Sequence, residues 1–180
     1  MFDTIKLMTR EVETKFKITS PGAFRKSLKK IGAKFISKEF EEDIYYRGPV
    51  KGPRFTIRLR VAGNKNIFTV KAATRGKSRR YKVLDELEVP VNNARVFNKV
   101  LLGLGFSPDS KKQKVRETYK WKNAKICIDT LPLIGTYAEI EAPKKRIKEL
   151  ARLLGFDMKR AIPGTYMELL RKRKKHKKHS

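Results

Sequence analysis

The stretch EVETKFKI, residues 11–18, puts Glu11, Glu13, Lys15 and Lys17 on one side of an extended chain and Val12, Thr14, Phe16 and Ile18 on the other. This period of two is that of a strand with one apolar face. It recurs at about residues 43–47, 54–61, 66–72, 81–91, 113–122, 124–130 and 136–142, so eight strands are expected. Ile57, Leu59 and Val61 oppose Arg58 and Arg60, Val70 opposes Lys71, and Leu87 and Val89 oppose Glu86 and Glu88. Val115, Tyr119 and Trp121 oppose Lys114 and Arg116, with Glu117 the exception; Ile126 and Ile128 oppose Asp129, and Ile140 opposes Glu139 and Glu141. KNAK, residues 122–125, reads as a hairpin turn, and PVKGP (49–53) and AGNKN (62–66) bracket the third strand.

Between the strands the period changes to that of helices. SPGAFRKSLKKIGAKF has Ser20 as N-cap, Pro21 at the first position, an apolar face of Phe24, Leu28 and Ile31, and Gly32 as its stop. NNARVFNKVLLGLGF has an Asn cap, a face of Val96, Phe97, Val100, Leu101 and Leu104, and stops at Gly105. PKKRIKELARLLGF starts at Pro143, buries Ile147, Leu150, Ala151 and Leu154, and stops at Gly155. A fourth helix, from about Thr165, runs into the basic C-terminus. A unit of Glu-x-Glu, helix, Gly and Phe thus occurs three times, but the distances from second Glu to Gly are 19, 17 and 14 residues, which excludes a solenoid of fixed period.

The apolar strand face needs a cover, which three amphipathic helices can supply. The other face carries seven acids (Glu11, Glu13, Glu86, Glu88, Asp129, Glu139, Glu141) and six bases (Lys15, Arg58, Arg60, Lys71, Lys114, Arg116). In an open sheet that face meets water. In a closed eight-stranded barrel it fills a narrow interior that apolar side chains ordinarily occupy, and such charges are costly unless paired or occupied by ions. Clustered carboxylates on rigid strands are hard oxygen ligands for Mg²⁺ or Mn²⁺, and neighbouring Arg and Lys are phosphate ligands. Metal beside a basic cradle points to polyphosphate chemistry.

Composition adds an anionic partner. The 180 residues fit one domain, residues 1–170, followed by a basic tail at 171–180; the net charge is +27, with 35% charged and 39% hydrophobic residues. The tail, RKRKKHKKHS, holds seven Lys or Arg and no acid, so the rest of the chain is still at +20. Weak attachment of that tail to nucleic acid or an acidic surface is one expectation and a solvated end the other. A basic nucleic-acid-binding protein is the rival functional class, supported by Tyr45, Tyr46 and Phe55 near basic residues; seven carboxylates aligned among the bases count against it. Tyr45 or Tyr46 could stack on a base, whereas Phe106, Tyr119 and Trp121 read as core. Cys127 is the only cysteine, so no disulfide framework exists, and it reads as a passive wall residue. His176 and His179 lack partners at ligand spacing. No run approaches 18 apolar residues and MFDTIKLMTR lacks the apolar core of a signal peptide, so a cytoplasmic protein without a membrane segment is expected.

EVETKFK resembles the E-x-E-x-K signature of the CYTH superfamily, the triphosphate tunnel metalloenzymes, which includes class IV adenylyl cyclases and thiamine triphosphatases. DIYY, IRLR, TVK, DELEV, KVRETY, ICID, YAEIE and TYMELL follow in order, so the similarity runs from residue 11 to about 170. The resemblance implies an α+β fold: an eight-stranded antiparallel tunnel with a charged lumen and helices outside. It implies that Glu11, Glu13, Glu139 and Glu141, with Asp129, hold Mg²⁺ or Mn²⁺, and that Lys15, Arg58, Arg60, Lys71, Lys114 and Arg116 hold a triphosphate. Glu86 and Glu88 match family carboxylates that serve as metal ligands, cradle partners or general base; with Lys15 they are the catalytic candidates. Leu84 stands where the family often carries an Arg, so Arg80 or Lys82 is expected to substitute. The resemblance further implies a homodimer, as relatives often are. In length and motifs it favours adenylyl cyclase activity, ATP to cyclic AMP and pyrophosphate, over hydrolysis of inorganic triphosphate, thiamine triphosphate or a nucleoside triphosphate.

Overall fold

The structure, a computed structural model, describes residues 8–49, 55–73 and 78–177. Its elements run β1 (Thr9–Lys17), α1 (Pro21–Lys30), β2 (Lys34–Arg47), β3 (Phe55–Ala62), β4 (Lys65–Ala73), β5 (Lys82–Pro90), α2 (Ala94–Gly103), β6 (Ser107–Trp121), β7 (Ala124–Leu131), β8 (Gly135–Glu141), α3 (Lys144–Leu153) and α4 (Tyr166–Lys177). The strands hydrogen-bond in the order β1-β5-β4-β3-β2-β6-β7-β8, a closed barrel, with the helices outside it. The closed alternative therefore holds. Among the described residues no helix is long and apolar enough to cross a membrane.

Two strands begin well before their expected starts, β2 at Lys34 rather than 43 and β6 at Ser107 rather than 113. In early β2 the apolar Phe35, Ile36 and Phe40 fall on both faces among charged residues, and in early β6 both faces are polar, so neither stretch shows one apolar face. Pro143 is the N-cap of α3 rather than its first helical residue, and no side chain caps that end. The PVKGP turn lies almost wholly outside the described residues, as does His179. Gly63 and Asn64 turn β3 into β4, and Lys122 and Asn123 turn β6 into β7.

The chain divides into two compact units. The first comprises residues Met1–Glu11, Glu39–Arg75 and Val83–Gln113, the second Val12–Lys38, Gly76–Lys82 and Lys114–Ser180. In the first, β2, β3, β4 and β5 pair antiparallel in sequence order. Asn93 caps α2, accepting from Val96 N at 3.1 Å, and the helix lays Phe97 and Leu101 over Tyr46, Leu59 and Phe68. Val96, Val100 and Leu104, expected in the core, are exposed. Val96 and Val100 lie to one side of Phe97 and Leu101 around the helix, and Leu104 is its C-cap, beyond the last turn.

In the second unit β6, β7, β8 and β1 pair antiparallel. Ser20 caps α1 and Pro21 opens it. Phe24 and Leu28 of α1 and Ile147, Leu150 and Ala151 of α3 are buried, together with Phe16, Ile126, Ile128 and Ile140 on the strands. Gly155, at φ +73°, lets α3 end with Phe156 N donating back to Ala151 O at 2.7 Å. That closure turns the Phe156 ring onto Phe16, centroids 4.3 Å apart and nearly parallel, with Phe24 alongside at 5.5 Å. Trp121 and Tyr119 are buried as expected, the indole N–H donating to Ile31 O at 2.8 Å. Tyr166, the first residue of α4, packs with Leu131, Ile134 and Tyr137, and Leu169 and Leu170 close over them.

Candidate active site

On the strand faces turned away from the helices, the register sets opposite charges directly across from one another. The Cα partners include Lys15 with Glu139, Arg116 with Asp129, Lys71 with Glu86 and Arg60 with Asp43. Cross-strand neighbours on one face lie close enough for their side chains to meet, and each of these pairs does.

In the second unit Lys15 Nζ sits 2.5 Å from Glu13 Oε1 and 3.1 Å from Glu139 Oε2. Arg116 donates to both oxygens of Asp129, at 2.7 and 2.5 Å, and to Glu139 Oε1 at 2.6 Å. Lys114 reaches Asp129 Oδ2 at 3.1 Å. Burial alone would raise the carboxyls of Glu13, Asp129 and Glu139; the surrounding lysines and Arg116 outweigh it and hold all three below the ordinary carboxylate range. Burial likewise opposes the charge on Lys15, and the two glutamates reverse that, raising its pKa. Lys82 donates to Glu13 Oε1 at 3.0 Å, so of the two cations expected to stand in for an arginine at Leu84 it is Lys82 that joins this cluster. Glu141 pairs instead with Lys125, to one side of it. Cys127 is buried beside these charges, and burial pushes its thiol up to about 11, which fits the passive role.

The first unit holds a second cluster. Lys71 Nζ lies 2.6 Å from Glu11 Oε2 and 2.9 Å from Glu86 Oε1. Arg58 donates to Thr69 Oγ1 at 2.8 Å and to Glu88 at 3.1 Å, and Glu88 is half exposed. Arg60 grips Asp43 with two N–H groups, at 2.7 and 3.1 Å, and reaches Glu41 at 3.1 Å. Lys112 joins Asp43 at 2.7 Å with its ammonium 5.6 Å from the centre of the Tyr45 ring, and Tyr45 donates to Asp43 at 3.3 Å. Tyr46 faces the other way, in the core, donating to Asn98 at 2.5 Å; it is not placed to stack on a base.

Asp43, Glu41, Lys112 and Tyr166 were not among the sequence candidates for metal or phosphate. Glu41 shares the parity of Asp43, and Lys112 that of Lys114 and Arg116, so extending β2 back by two residues and β6 by one would have found them. Tyr166 comes from another element: Lys15 and Lys114 stand 5.1 and 5.5 Å from the centre of its ring. Glu117, the exception to the alternation, faces α1 and takes both hydrogen bonds of Arg25 at 2.7 Å.

Among the described residues no three or more Asp, Glu, His or Cys side chains gather as a ready metal centre. Mg²⁺ typically takes one or two carboxylates and completes its shell with water and substrate phosphate. Glu13 and Glu139 form such a pair, each within the field of the other and joined through Lys15, so the hard oxygen donors present fit such an ion.

The CYTH domain signature matches residues 9–166. The chain belongs to the CYTH family. A proposed adenylate cyclase of Methanocaldococcus jannaschii is 32% identical over 147 residues, covering 80% of this CYTH chain and 83% of that protein. A Pyrococcus horikoshii protein of known structure superposes with a TM-score of 0.76 at 26% identity, over 88% of this chain and 98% of its own. A Hippeastrum protein, described as a proposed adenylyl cyclase with a dominant triphosphatase activity, shares the fold at a TM-score of 0.56 and 18% identity, over 81% of this chain and 88% of its own. Members of this family process triphosphates, and the family suggests use of a divalent metal.

Proposed function

We propose that this CYTH protein is an adenylyl cyclase that converts ATP to cyclic AMP and pyrophosphate with Mg²⁺ or Mn²⁺. The observation that carries the reading is the set of buried, register-matched ion pairs. Burying such pairs gives little stability over an apolar face of equal volume, and a polyanion with its counter-cation is what they suit. The relative named as a proposed adenylate cyclase supports the choice of reaction.

Arg58, Arg60 and Lys71, and Lys15, Lys114 and Arg116, hold phosphate oxygens, the arginines through two-pronged contacts. Glu13 and Glu139, with Asp129, Glu11 and Glu141 as further donors, hold the ion. A divalent cation supplies neutralisation of the charge that develops on the phosphoryl oxygens. The ribose 3′-oxygen attacks the α-phosphorus and pyrophosphate departs. Glu88, half exposed beside Arg58, accepts the hydroxyl proton, while Glu86, between Lys71 and Arg58, positions those two cations.

Phosphorus NMR of the protein with Mg²⁺ or Mn²⁺ tests this, with ATP and inorganic triphosphate in separate samples. Cyclic AMP with pyrophosphate is the expected product. Orthophosphate, above all from triphosphate without a nucleoside, would instead make the protein a triphosphatase.

A further inference from the structure

The surplus positive charge is not spread evenly. The second unit holds 31 Lys and Arg against 8 Asp and Glu, a net +23, and the first holds 14 against 10, a net +4. The seven basic residues of 171–180 account for part of this, and the second unit without them is still at +16. Its buried ion pairs nearly balance, and among the described residues its further Lys and Arg on α1 and α3 are largely exposed.

The placement of that charge works against stability. On α1, Lys26 and Lys30 are four residues apart, and on α3 so are Lys144, Lys148 and Arg152, all exposed. Like charges at that spacing destabilise a helix. Lys144, Lys145 and Arg146 occupy the first turn of α3, where no acid and no side-chain cap is present and where the helix dipole disfavours cations. Lys144, 5.7 Å from the centre of the Tyr81 ring, and Arg146, held by Asn123, Glu149 and Trp121, have partners within the fold; Lys26, Lys30, Lys145, Lys148 and Arg152 are exposed and open to an anionic partner.

The two helices share one surface. Trp121 donates to the carbonyl of Ile31 at the end of α1, while Arg146 of α3 and Lys122 stand 5.4 and 4.3 Å from the centre of its ring. The acid at this junction, Glu149, is already met by Arg146 at 2.5 Å and Lys122 at 3.3 Å. Two residues back on the same strand, Tyr119 supports the ring of Phe35 edge-on at 5.4 Å. Phe35 is 55% exposed and follows the exposed Lys34. An aromatic ring offered to solvent among cations is the device by which proteins hold unpaired bases while neutralising the backbone.

We propose that this outer face of the second unit, made of the exposed cations of α1 and α3 and the ring of Phe35, binds single-stranded nucleic acid, separately from the triphosphate site and from the basic tail.

Fluorescence anisotropy of the full chain with a fluorescein-labelled mixed-sequence single-stranded RNA tests it. Binding is expected at physiological salt, weakening steeply as salt rises, and unchanged by excess inorganic triphosphate. The triple variant Lys30→Glu, Lys148→Glu, Arg152→Glu should bind about tenfold or more weakly. Phe35→Ala, which leaves every charge in place, should lose about fivefold or more. Deleting 171–180 should change affinity by less than about threefold, since most of the charge remains. No binding at physiological salt, full loss on tail deletion, competition by triphosphate, or wild-type affinity in the triple and Phe35 variants would each overturn the proposal. So would tight binding to phosphatidylserine vesicles with none to RNA. The triphosphate turnover of each variant, measured in parallel, keeps this result distinct from the fate of the cyclase reading.

Discussion

Lys15 and Glu139 face each other across the ladder of β1 and β8, and the ammonium stands 3.1 Å from the carboxylate. Lys15 is also 2.5 Å from Glu13, and all three side chains are buried. Removing the cation takes one buried partner from each of two carboxylates, leaving Glu13 with Lys82 and Glu139 with Arg116. Lys15→Ala is expected to cost about 3–5 kcal/mol, the usual penalty for breaking a buried ion pair on one side, read from the midpoint of urea denaturation. A midpoint equal to the parent's would show that the triad does not form.

Burial would raise the carboxyls of Glu13, Asp43, Asp129 and Glu139, but their Lys and Arg partners dominate and each folded pKa is depressed. The same groups titrate near 4 in the unfolded chain. Their stabilisation is therefore complete above about pH 5, declines as the unfolded carboxylates take up protons, and is lost below the folded values. Denaturation midpoints should vary little on their account from about pH 5.5 to 8 and fall steeply below about pH 4.5. Glu139→Gln should shallow that fall; an identical acid limb would contradict the assignment.

Glu11 and Glu13 begin the E-x-E-x-K motif, yet the structure gives them different partners, Lys71 for one and Lys15 with Lys82 for the other. Replacing both with Gln keeps their size and an acceptor oxygen while removing the charge offered to metal. Turnover of ATP should fall by roughly 10²-fold or more, with the far-ultraviolet circular dichroism retained. Undiminished turnover in the double variant would sink their role.

Much of this was legible because the alternation of charge and hydrophobe is strict where strands are half buried. Arg58, Arg60, Lys71, Glu86, Asp129 and Glu139 could be placed on one face by counting in twos, and the structure sets them there. The counting failed where the two faces do not differ, because both are polar at 107–112 and because Phe35, Ile36 and Phe40 fall on both faces at 34–42. Residues 34–42 and 107–112 are strand in the structure, but their sequence lacks the hydrophobic contrast that marks one, so Glu41 and Lys112 went unseen. Tyr166 was hidden for a different reason, since nothing local in TYMELL says that its ring meets Lys15 and Lys114 of other elements. The exposed Val96, Val100 and Leu104 show the converse, apolar residues at helical spacing that the fold leaves uncovered.

Asp43 is completely buried and gathers Arg60, Lys112 and the hydroxyl of Tyr45. It holds the guanidinium of Arg60 in one orientation, which a phosphate ligand needs. Asp43→Asn should raise the KM for ATP by about tenfold, equivalent to about 1.4 kcal/mol of binding, with a smaller effect on kcat. A fall confined to kcat would place Asp43 in the chemical step instead of in the positioning of Arg60.

The first turns of the C-terminal helix carry its apolar packing. Tyr166, Leu169 and Leu170 pack with Leu131, Ile134, Ile162 and Tyr137, whereas Arg171, Lys172 and Arg173 are exposed. A chain ending at Leu170 keeps every one of those apolar contacts and the ring over Lys15 and Lys114, so its turnover and thermal midpoint should match the parent's. Tyr166→Ala, by contrast, empties a buried aromatic site and removes the face on which both ammonium groups rest; a loss of about 3–5 kcal/mol is expected from the cavity, together with weaker triphosphate binding. Loss of turnover in the shortened chain would mean that residues 171–180 take part in catalysis, and an unaltered Tyr166→Ala variant would mean that this ring does not order the lysines beneath it.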